Sequence, residues 1–520
     1  MASGGNSLTT PASILVVGAG PTGLALALQA SLHGADVRII DRRPDPVRPS
    51  RALVVHPRTL EVLRSLNAID AVLERADSTP EVVLHAGRRQ VSARIDSLPL
   101  PDTSFPYLCL VRQTDLELAL RDALMANGVR IEMGTELVAL AGTVRGGGPA
   151  WVRLHSSRAR EDAKFSYVVG CDGAGSTVRR QLQIDWRGGT YRQEVVLADV
   201  EFATAPATDS AHVAVGRGGL LFIFPCGESA TWRLLATRPS TGCGCTHGRF
   251  GPPVPITELQ RLCDDAGIAA TIDAVAWSAR ITLQHRLATH YRRGHVFLAG
   301  DAAHAHSPAA AQGMNTGIQD AANLGWKLAF AGSEPVSPAL LDSYETERRP
   351  VARRVLALTS LAFWAEASTS PAAAAIRTSV APLLLPALVP LLKIAPPPVR
   401  AALRVLTQLQ VNYRSSPLSV EGVPRARGRL RAGDRIPDAR VKDGQSRLHE
   451  VLAKPGVHLL LQHDAPAPVL KDGAHCVHVH RALNDHGLGV TAVRPDGYVG
   501  YRSAVVDGQL TSWLSTIGAR

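Results

Sequence analysis

The chain has 520 residues, of which 45% are hydrophobic and 19% charged, and a formal net charge of +11. This length exceeds a single compact core, so two to four domains are expected, and the composition is typical of a globular protein rather than a disordered one. The basic residues are dispersed, and their densest stretch, 425–435, has no interleaved aromatic residues. We therefore expect a solvated linker there and no nucleic-acid partner.

The cysteines and the apolar segments predict the cellular location of the protein and whether it is attached to a membrane. Seven cysteines are an odd number without a pairing framework, which predicts free thiols and a cytoplasmic location. The opening residues lack the apolar core of a signal peptide. The longest apolar segment, 380–394, is too short and too rich in proline to cross a bilayer, so we expect no membrane anchor. Its default interpretation is a short helical pair packed on the core; an interface in a homodimer is the alternative, so the chain is a monomer or homodimer.

Cys243, Cys245 and His247 have a spacing that is found among metal ligands. No second pair of cysteine or histidine residues follows at the distance that a zinc finger needs. A glycine-rich loop without a metal ion is the favoured interpretation, and no metal is expected elsewhere in the chain.

The first segment that carries chemistry is a strand–turn–helix–strand unit near the start of the chain. An apolar strand at 14–17 leads into Gly-Ala-Gly-Pro-Thr-Gly, a small-residue helix follows, and a second strand ends in an aspartate. The three glycines permit a sharp turn, a close pyrophosphate and close helix packing, while the acid can accept a ribose hydroxyl. The unit predicts a dinucleotide site and does not distinguish FAD from NAD. The residues expected to form it are Gly18, Gly20, Pro21, Thr22, Gly23 and Asp41.

Two further turns follow strands later in the chain. At 167–180 a strand, a tight turn around Asp172 and a helix start appear, which alone would fit any Asx-type turn before a helix. At 296–301 a buried strand ends in Gly300 and Asp301, and a small-residue loop leads to a long helix. Asp301 is placed to accept from a ribityl hydroxyl. The loop lets the backbone approach a flat ring, and the helix dipole can stabilise negative charge on that ring.

Together the three motifs resemble the class A, single-component flavoprotein aromatic hydroxylases with the p-hydroxybenzoate hydroxylase fold. The likeness is strongest to the branch that contains phenol hydroxylases, aromatic-polyketide hydroxylases and the rifampicin monooxygenase. It implies an α/β protein: a Rossmann-type FAD-binding domain interleaved with a β-sheet substrate domain, plus a C-terminal thioredoxin-like α/β domain. The implied boundaries are 1–80, 102–186 and 281–365 for FAD binding, 81–101 and 187–280 for substrate, 366–433 for a helical linker and 434–520 for the thioredoxin-like domain. That last domain lacks Cys-x-x-Cys, so we expect it to be structural.

The resemblance also assigns residues to the cofactor. The acid after the second strand binds the adenosine ribose, two arginines reach the cofactor, one backbone position contacts adenine, and the late motif surrounds the ribityl chain and the ring. Either arginine is alternatively a surface salt-bridge partner. The cofactor-binding residues implied beyond the first motif are Arg42, Arg51, Arg112, Gln113, Leu137, Asp172, Gly300, Asp301, Pro308, Gln312, Gly313, Met314 and Asn315.

The flavin loop departs from the family pattern. Relatives carry Pro-Ala-Gly-Gly-Gln-Gly where this chain has Pro-Ala-Ala-Ala-Gln-Gly at 308–313, and losing glycines restricts φ and with it the movement of the flavin. No catalytic residue is assigned; the candidates in this loop are Pro308, Ala309 and Ala310. His304 and His306 precede them without an adjacent acid, which favours structural roles over catalysis or metal binding.

The implied reaction uses FAD, with NADPH or NADH as a transient co-substrate and O2 as oxidant. A flavin hydroperoxide would hydroxylate a small aromatic substrate, polycyclic or polyketide-like. No second Gly-x-Gly-x-x-Gly follows a strand, so the nicotinamide should bind transiently in a surface groove. Phe222, Phe224 and Trp232, in a segment of alternating strands, either line the substrate pocket or pack a core. The base that activates a phenol is not assigned.

Two alternative functions remain open from the sequence. The same fold supports Baeyer–Villiger oxygen insertion or simple oxidation. A protein of another class, a flavoprotein that only sequesters an aromatic ligand, is disfavoured by the intact Asp301 and 312–315 stretch.

Overall fold

A computed structural model gives the architecture of the chain. It describes residues 13–45, 54–78, 81–86, 89–141, 148–206, 210–216, 219–225, 227, 229–240, 250–333, 337–368, 370–441, 446–462, 465, 466, 468, 476–481 and 489–519.

The strands of these residues are, in chain order, β1 Ser13–Val17, β2 Asp36–Asp41, β3 Val54–Val55, β4 Glu81–Ala86, β5 Arg89–Arg94, β6 Cys109–Leu110, β7 Ile131–Met133, β8 Glu136–Ala141, β9 Ala150–His155, β10 Arg160–Phe165, β11 Tyr167–Gly170, β12 Trp186–Thr204, β13 Ser210–Gly216, β14 Gly219–Phe224, β15 Trp232–Pro239, β16 Thr271–Ala288, β17 Arg292–Arg293, β18 Val296–Leu298, β19 His304–Ala305, β20 Val420–Glu421, β21 Val457–Leu461, β22 Val477–Arg481, β23 Val490–Val493 and β24 Val499–Ser503.

The α-helices are α1 Pro21–Leu32, α2 Pro57–Ser65, α3 Ile69–Leu73, α4 Gln113–Ala126, α5 Thr177–Gln181, α6 Ile256–Asp265, α7 Gln312–Ser333, α8 Pro338–Ala367, α9 Pro371–Ala375, α10 Ala381–Ile394, α11 Pro397–Leu406, α12 Leu448–Val451 and α13 Gly508–Ile517. Short 3-10 helices lie at Gly300–Ala302 and Ala309–Ala311, and a π-helical turn lies at Ile376–Val380.

The first sheet has the strand order β17-β18-β11-β1-β2-β7, and its strands run parallel except for β17. Strands β1, β11 and β18 are apolar and buried because helices cover both faces of a parallel sheet. The carboxyl ends of parallel strands share one edge, so the three motif turns, which follow these strands, meet there.

Glycines bring helices α1 and α7 close together on one face of this sheet. A Cβ atom at Gly317 would lie 2.3 Å from Thr22 Oγ1, and one at Gly325 would lie 2.7 Å from Gln29 Cβ. Larger residues at these two positions would separate the helices. The small-residue pattern thus sets the distance between the first and the last motif.

The eight-stranded sheet has the order β19-β16-β12-β15-β14-β13-β4-β5. On its outer face Ile223 and Leu234 pack against Leu259 of α6. On its inner face Leu197 packs against Ala309 of the flavin loop and Phe363 of α8. Side chains alternate between the two faces of a strand, so neighbouring residues of β12, β14 and β15 face opposite sides of the sheet.

The C-terminal part is a five-stranded sheet, β20-β24-β23-β21-β22, covered by α13. Its core includes residues from the N-terminal part of the chain, because Trp326 and Phe330 of α7 pack into it. A buried ion cluster lies at the same junction: Glu347 of α8 accepts from Lys327 Nζ at 2.7 Å and from both terminal nitrogens of Arg494 at 2.7 and 2.8 Å.

The 380–394 segment differs from its default interpretation. Most of it forms the single helix α10, and Leu383, Leu384 and Ile394 are 67%, 61% and 74% exposed. The expectation that this segment packs on the core is therefore wrong for these residues. Among the described residues, no helix is long and apolar enough to cross a membrane.

Replacing Glu347 tests the junction between the two parts. Glu347→Gln should lower the free energy of unfolding by about 3–5 kcal/mol, because Lys327 would be left buried without its ion-pair partner and Arg494 would keep only Asp496. Glu161→Gln is the matched control, since Glu161 pairs with Arg38 in a half-exposed position and should cost less than about 1 kcal/mol. Urea unfolding measures both, and equal losses would contradict the assignment.

Candidate flavin site

The turn after β1 is pressed against the turn after β11. Gly18 has φ +105°, and a Cβ atom there would lie 2.5 Å from the carbonyl oxygen of Cys171. A Cβ atom at Gly23 would lie 1.9 Å from the carbonyl oxygen of Gly18. Gly20 caps α1 without a side-chain bond and Pro21 begins the helix, so the first turn of α1 has no side-chain acceptor at its cap. This geometry fits a bound pyrophosphate.

Asp41 is held at the end of β2. Its carboxylate accepts from Ala19 N at 2.9 Å and from Arg43 N, Nε and Nη2 at 2.9, 3.0 and 2.8 Å. Burial would raise the pKa of Asp41, but the hydrogen bonds and charge of Arg43 outweigh burial and the pKa lies below its ordinary value. Sequence reasoning chose Arg42, which is exposed, and missed Arg43. Arg51 lies outside the described residues.

The side chain of Asp172 caps the helix that follows it, α5. Its Oδ2 accepts from the backbone N–H groups of Thr177 at 2.6 Å and Val178 at 3.2 Å, which are at the start of α5. Burial raises the pKa of Asp172. The observed contacts of this side chain are therefore those of a helix cap, beside the Ser176 cap of the same helix.

Arg179 joins the middle motif to the late one, a link that sequence reasoning missed. It donates to the carbonyl oxygens of Ala302 at 2.8 Å and Ala174 at 2.7 Å, and its guanidinium lies 3.7 Å from the centre of the Trp186 ring. Burial lowers the pKa of Arg179 to about 10, so the side chain stays charged at neutral pH. An arginine two residues into α5 was the only sequence signal.

Gly300 and Asp301 follow β18 at the same edge of the sheet. Gly300 has φ +59°, and a Cβ atom there would lie 2.5 Å from Thr22 Oγ1. The carboxylate of Asp301 is exposed and forms no hydrogen bond with another described residue. An acceptor without a protein partner at this edge fits a hydroxyl-rich cofactor chain.

A buried acid lies behind this turn. Asp320 of α7 accepts from Gly300 N at 3.1 Å, from His304 Nε2 at 2.7 Å and from Arg348 Nε at 2.7 Å. His304 therefore has the acidic partner that its sequence neighbours do not supply. All three side chains are fully buried, and the contacts are those of a scaffold that fixes the Gly300 turn.

The flavin loop has left-handed backbone at two alanines, Ala310 at φ +56° and Ala311 at φ +51°. His56 N donates to Asn315 Oδ1 at 2.9 Å, and His56 Nε2 donates to the carbonyl oxygen of Ala310 at 2.9 Å. Asn315 Nδ2 donates to the carbonyl oxygens of Ala311 at 2.8 Å and Val54 at 2.9 Å. Burial lowers the pKa of His56 to about 4, which keeps the ring neutral. Asn315 is among the cofactor-binding residues predicted from the sequence, and His56 is not.

The other residues predicted to bind the cofactor near the start of α7 differ in their burial and in their contacts. Gln312 Nε2 donates to the carbonyl oxygen of Leu406 at 2.8 Å. Met314 is half-buried against the core of the flavin-binding part. Pro308 is exposed, and Gly313 has His306 Cε1 3.5 Å from the place of a Cβ atom.

The residues expected beside α4 and β8 also have protein partners. Arg112 forms an ion pair with Asp115 at 2.5 Å and donates to the carbonyl oxygen of Gly227 at 3.4 Å. Gln113 Nε2 donates to Glu117 Oε1 at 2.8 Å. Leu137 is buried and pairs with Leu154 of β9.

The three aromatic residues of the large sheet do not share a face. Phe222 and Phe224 stack with ring centres 5.6 Å apart and pack near Leu110. Trp232 packs on the outer face against α6, with Leu259. For Trp232 the structure gives the core-packing alternative.

Among the described residues, no group of three or more histidine, cysteine, aspartate or glutamate side chains could hold a metal ion. Cys243, Cys245 and His247 fall in 241–249, outside the described residues.

Comparison with known proteins defines the class. The FAD binding domain family model matches residues 11–359. The 6-methylpretetramide 4-monooxygenase of Streptomyces rimosus is 34% identical over 78% of this chain and 71% of its own, and the rifampicin monooxygenase of Streptomyces venezuelae is 32% identical over 94% of both. The solved structure of the OxyS anhydrotetracycline hydroxylase from Streptomyces rimosus superimposes with a TM-score of 0.74 at 29% identity, covering 98% of this chain and 99% of that one.

The chain belongs to the class A FAD-dependent monooxygenase family. It is a flavin monooxygenase with the p-hydroxybenzoate hydroxylase-like fold, and it uses FAD, NAD(P)H and O2. The resemblance, the fold class, the main function and the cofactors expected from the sequence are confirmed.

The left-handed alanines give a test of the flavin loop. Ala311→Gly should leave the free energy of unfolding unchanged or raise it by up to about 1 kcal/mol. Glycine relieves the strain of left-handed backbone, which costs alanine about 1–2 kcal/mol, but glycine also loses more chain entropy on folding. Ala123→Gly in the middle of α4 is the control and should lower the same quantity by about 1 kcal/mol. Urea unfolding that shows equal losses for both variants would contradict the loop geometry.

Proposed function

We propose that this monooxygenase hydroxylates a polycyclic, polyketide-like phenol. The observation that supports this most strongly is the apolar inner face of the eight-stranded sheet, where Val195, Leu197 and Leu235 form one cluster with Ala309 of the flavin loop. A flat, apolar substrate would pack between such a sheet and a flavin ring. The similar proteins named for 6-methylpretetramide and anhydrotetracycline point to the same substrate class.

The three motif turns would bind one ligand, FAD. FAD would lie along the carboxyl edge of the parallel sheet, with its pyrophosphate at Gly20, its adenosine ribose at Asp41 and its ribityl chain at Asp301. The crowding at Gly18 and the unpartnered carboxylate of Asp301 support this placement. When bound, FAD supplies the hydride acceptor and the site where oxygen is activated. The residues described above supply position and electrostatics.

Domain boundaries are part of the proposal. We assign 1–80, 102–186 and 281–365 to FAD binding, 81–101 and 187–280 to substrate binding, 366–433 to a helical linker and 434–520 to a structural thioredoxin-like domain. The pairing of β4 and β5 with β13 supports placing 81–101 with the large sheet.

A cytoplasmic location and a monomeric or homodimeric state complete the proposal. The described cysteines Cys109, Cys171 and Cys263 form no disulfide with one another, which is typical of a reducing compartment.

The reaction can be tested with a polycyclic phenol. FAD-loaded protein should oxidise NADPH faster in the presence of anhydrotetracycline, and under 18O2 the product should gain one heavy oxygen atom as a new hydroxyl by mass spectrometry. A ring-expanded ester would instead indicate Baeyer–Villiger insertion. Unstimulated NADPH oxidation with this and other polycyclic phenols would favour a sequestering protein.

Asp301→Ala tests the cofactor placement. The change removes an unpartnered acceptor, so the affinity for FAD should fall by about 1–3 kcal/mol, or roughly 5- to 150-fold in Kd. Asp273→Ala, which removes an exposed carboxylate of β16, should leave the Kd unchanged. Fluorescence titration of the apoprotein with FAD measures both constants. Unaltered binding by Asp301→Ala would remove that residue from the site.

A further inference from the structure

The last turns of α8 lie between the flavin loop and the inner face of the large sheet. Ala362, Phe363 and Ala367 belong to the apolar cluster that includes Leu197 and Ala309. Residues three and four apart share one face of a helix, so Glu366 lies on the stripe formed by these three residues. A carboxylate is thus placed on the face of α8 that contacts the inner side of the sheet.

Glu366 has no partner of its own. It forms no hydrogen bond or ion pair with another described residue, and it is partly buried. The nearest arginine in sequence, Arg377, donates to the carbonyl oxygens of Ala365 at 2.9 Å and Ser368 at 2.7 Å. Burial alone raises the pKa of Glu366 to about 7. A carboxyl group in apolar surroundings without a compensating bond is costly to retain, and such groups cluster at functional sites.

We propose that Glu366 contacts the substrate and accepts the proton of its phenolic hydroxyl. This inference rests on the proposed function, because it requires an aromatic hydroxyl to bind beside the inner face. The O–H bond of the phenol breaks, the proton passes to a carboxylate oxygen of Glu366, and the electron pair stays on the substrate oxygen. That pair raises the electron density of the ring carbons ortho and para to it, where an electrophilic oxygen is received. No oxidant is consumed in this step.

The other charged and titratable groups on the neighbouring elements do not duplicate this role. Burial lowers the pKa of His306 to about 4 and lowers that of His285, so both rings are neutral near pH 7. Asp199 pairs with Arg233, Glu194 pairs with Arg238, the Tyr191 hydroxyl is hydrogen-bonded with Ser360 Oγ, and Arg377 donates to backbone carbonyls. Glu366 is therefore the acid–base group of this set that changes charge near neutral pH.

The test uses two ligands that differ only at the hydroxyl, 2-hydroxyanthraquinone and 2-methoxyanthraquinone, with the FAD-loaded full chain. Perturbation of the flavin absorption spectrum gives both Kd values, and the long-wavelength band of the ionised hydroxyl reports proton transfer. The wild type should prefer the hydroxyl ligand roughly ten- to a hundredfold, as a hydrogen bond to a charged acceptor provides. The preference should fall at high pH, where ligand and Glu366 are both anions and repel each other.

Glu366→Gln keeps the shape of the side chain and removes the proton acceptor. The preference for the hydroxyl ligand should drop below about threefold and lose its pH dependence, while the Kd of the methoxy ligand stays unchanged. Asp342→Asn, on the exposed face of the same helix, is the matched control and should behave as wild type.

The outcomes separate the two levels of inference. If wild type and Glu366→Gln bind both ligands with the same preference, Glu366 is not the acceptor and the aromatic pocket stands. If wild-type protein binds neither ligand, both this inference and the proposed substrate class are contradicted. The pH series on the wild type alone decides the question if Glu366→Gln fails to fold: a preference that does not change with pH overturns the proposal.

Discussion

The close approach of three backbone turns at one edge of the parallel sheet is the constraint on which the site depends. The turn after β1 contacts the turn after β11 through Gly18 and Cys171, and it contacts the turn after β18 through Thr22 and Gly300. Side chains larger than hydrogen at the two glycines would separate these turns. The buried Asp320 and the charged Arg179 then fix the Gly300 turn from two sides.

Sequence reasoning predicted the parts of this arrangement that are encoded locally. The glycine spacing, the acid ending β2 and the order of the motifs are each readable within about thirty residues. The hydrogen bonds that hold the turns in place cannot be read in this way, because they join distant parts of the sequence. His56 and Asn315 are 259 positions apart, and Arg179 and Ala302 are 123 positions apart. Only a folded chain shows that these residues meet.

The large sheet shows a second limit of sequence reasoning. Alternation assigns residues of two strands to a common face only when the register between the strands is known. In the structure Phe222 pairs with Leu235 and Phe224 with Arg233, so Trp232, the neighbour of Arg233 in β15, lies on the opposite face from both phenylalanines. Glu366 gave no sequence signal, because an isolated glutamate in a helix is ordinary until its surroundings are known.

The shared core and ion cluster at the junction of α7, α8 and the C-terminal sheet limit how the protein can be recombined with its relatives. Trp326 is fully buried against that sheet, and Glu347 pairs with Lys327 on its own side of the junction and with Arg494 across it. A chimera that exchanged the C-terminal part would need a replacement carrying the same apolar surface and the same arginine. Exchanging either part alone would leave buried charges at the junction without their partners.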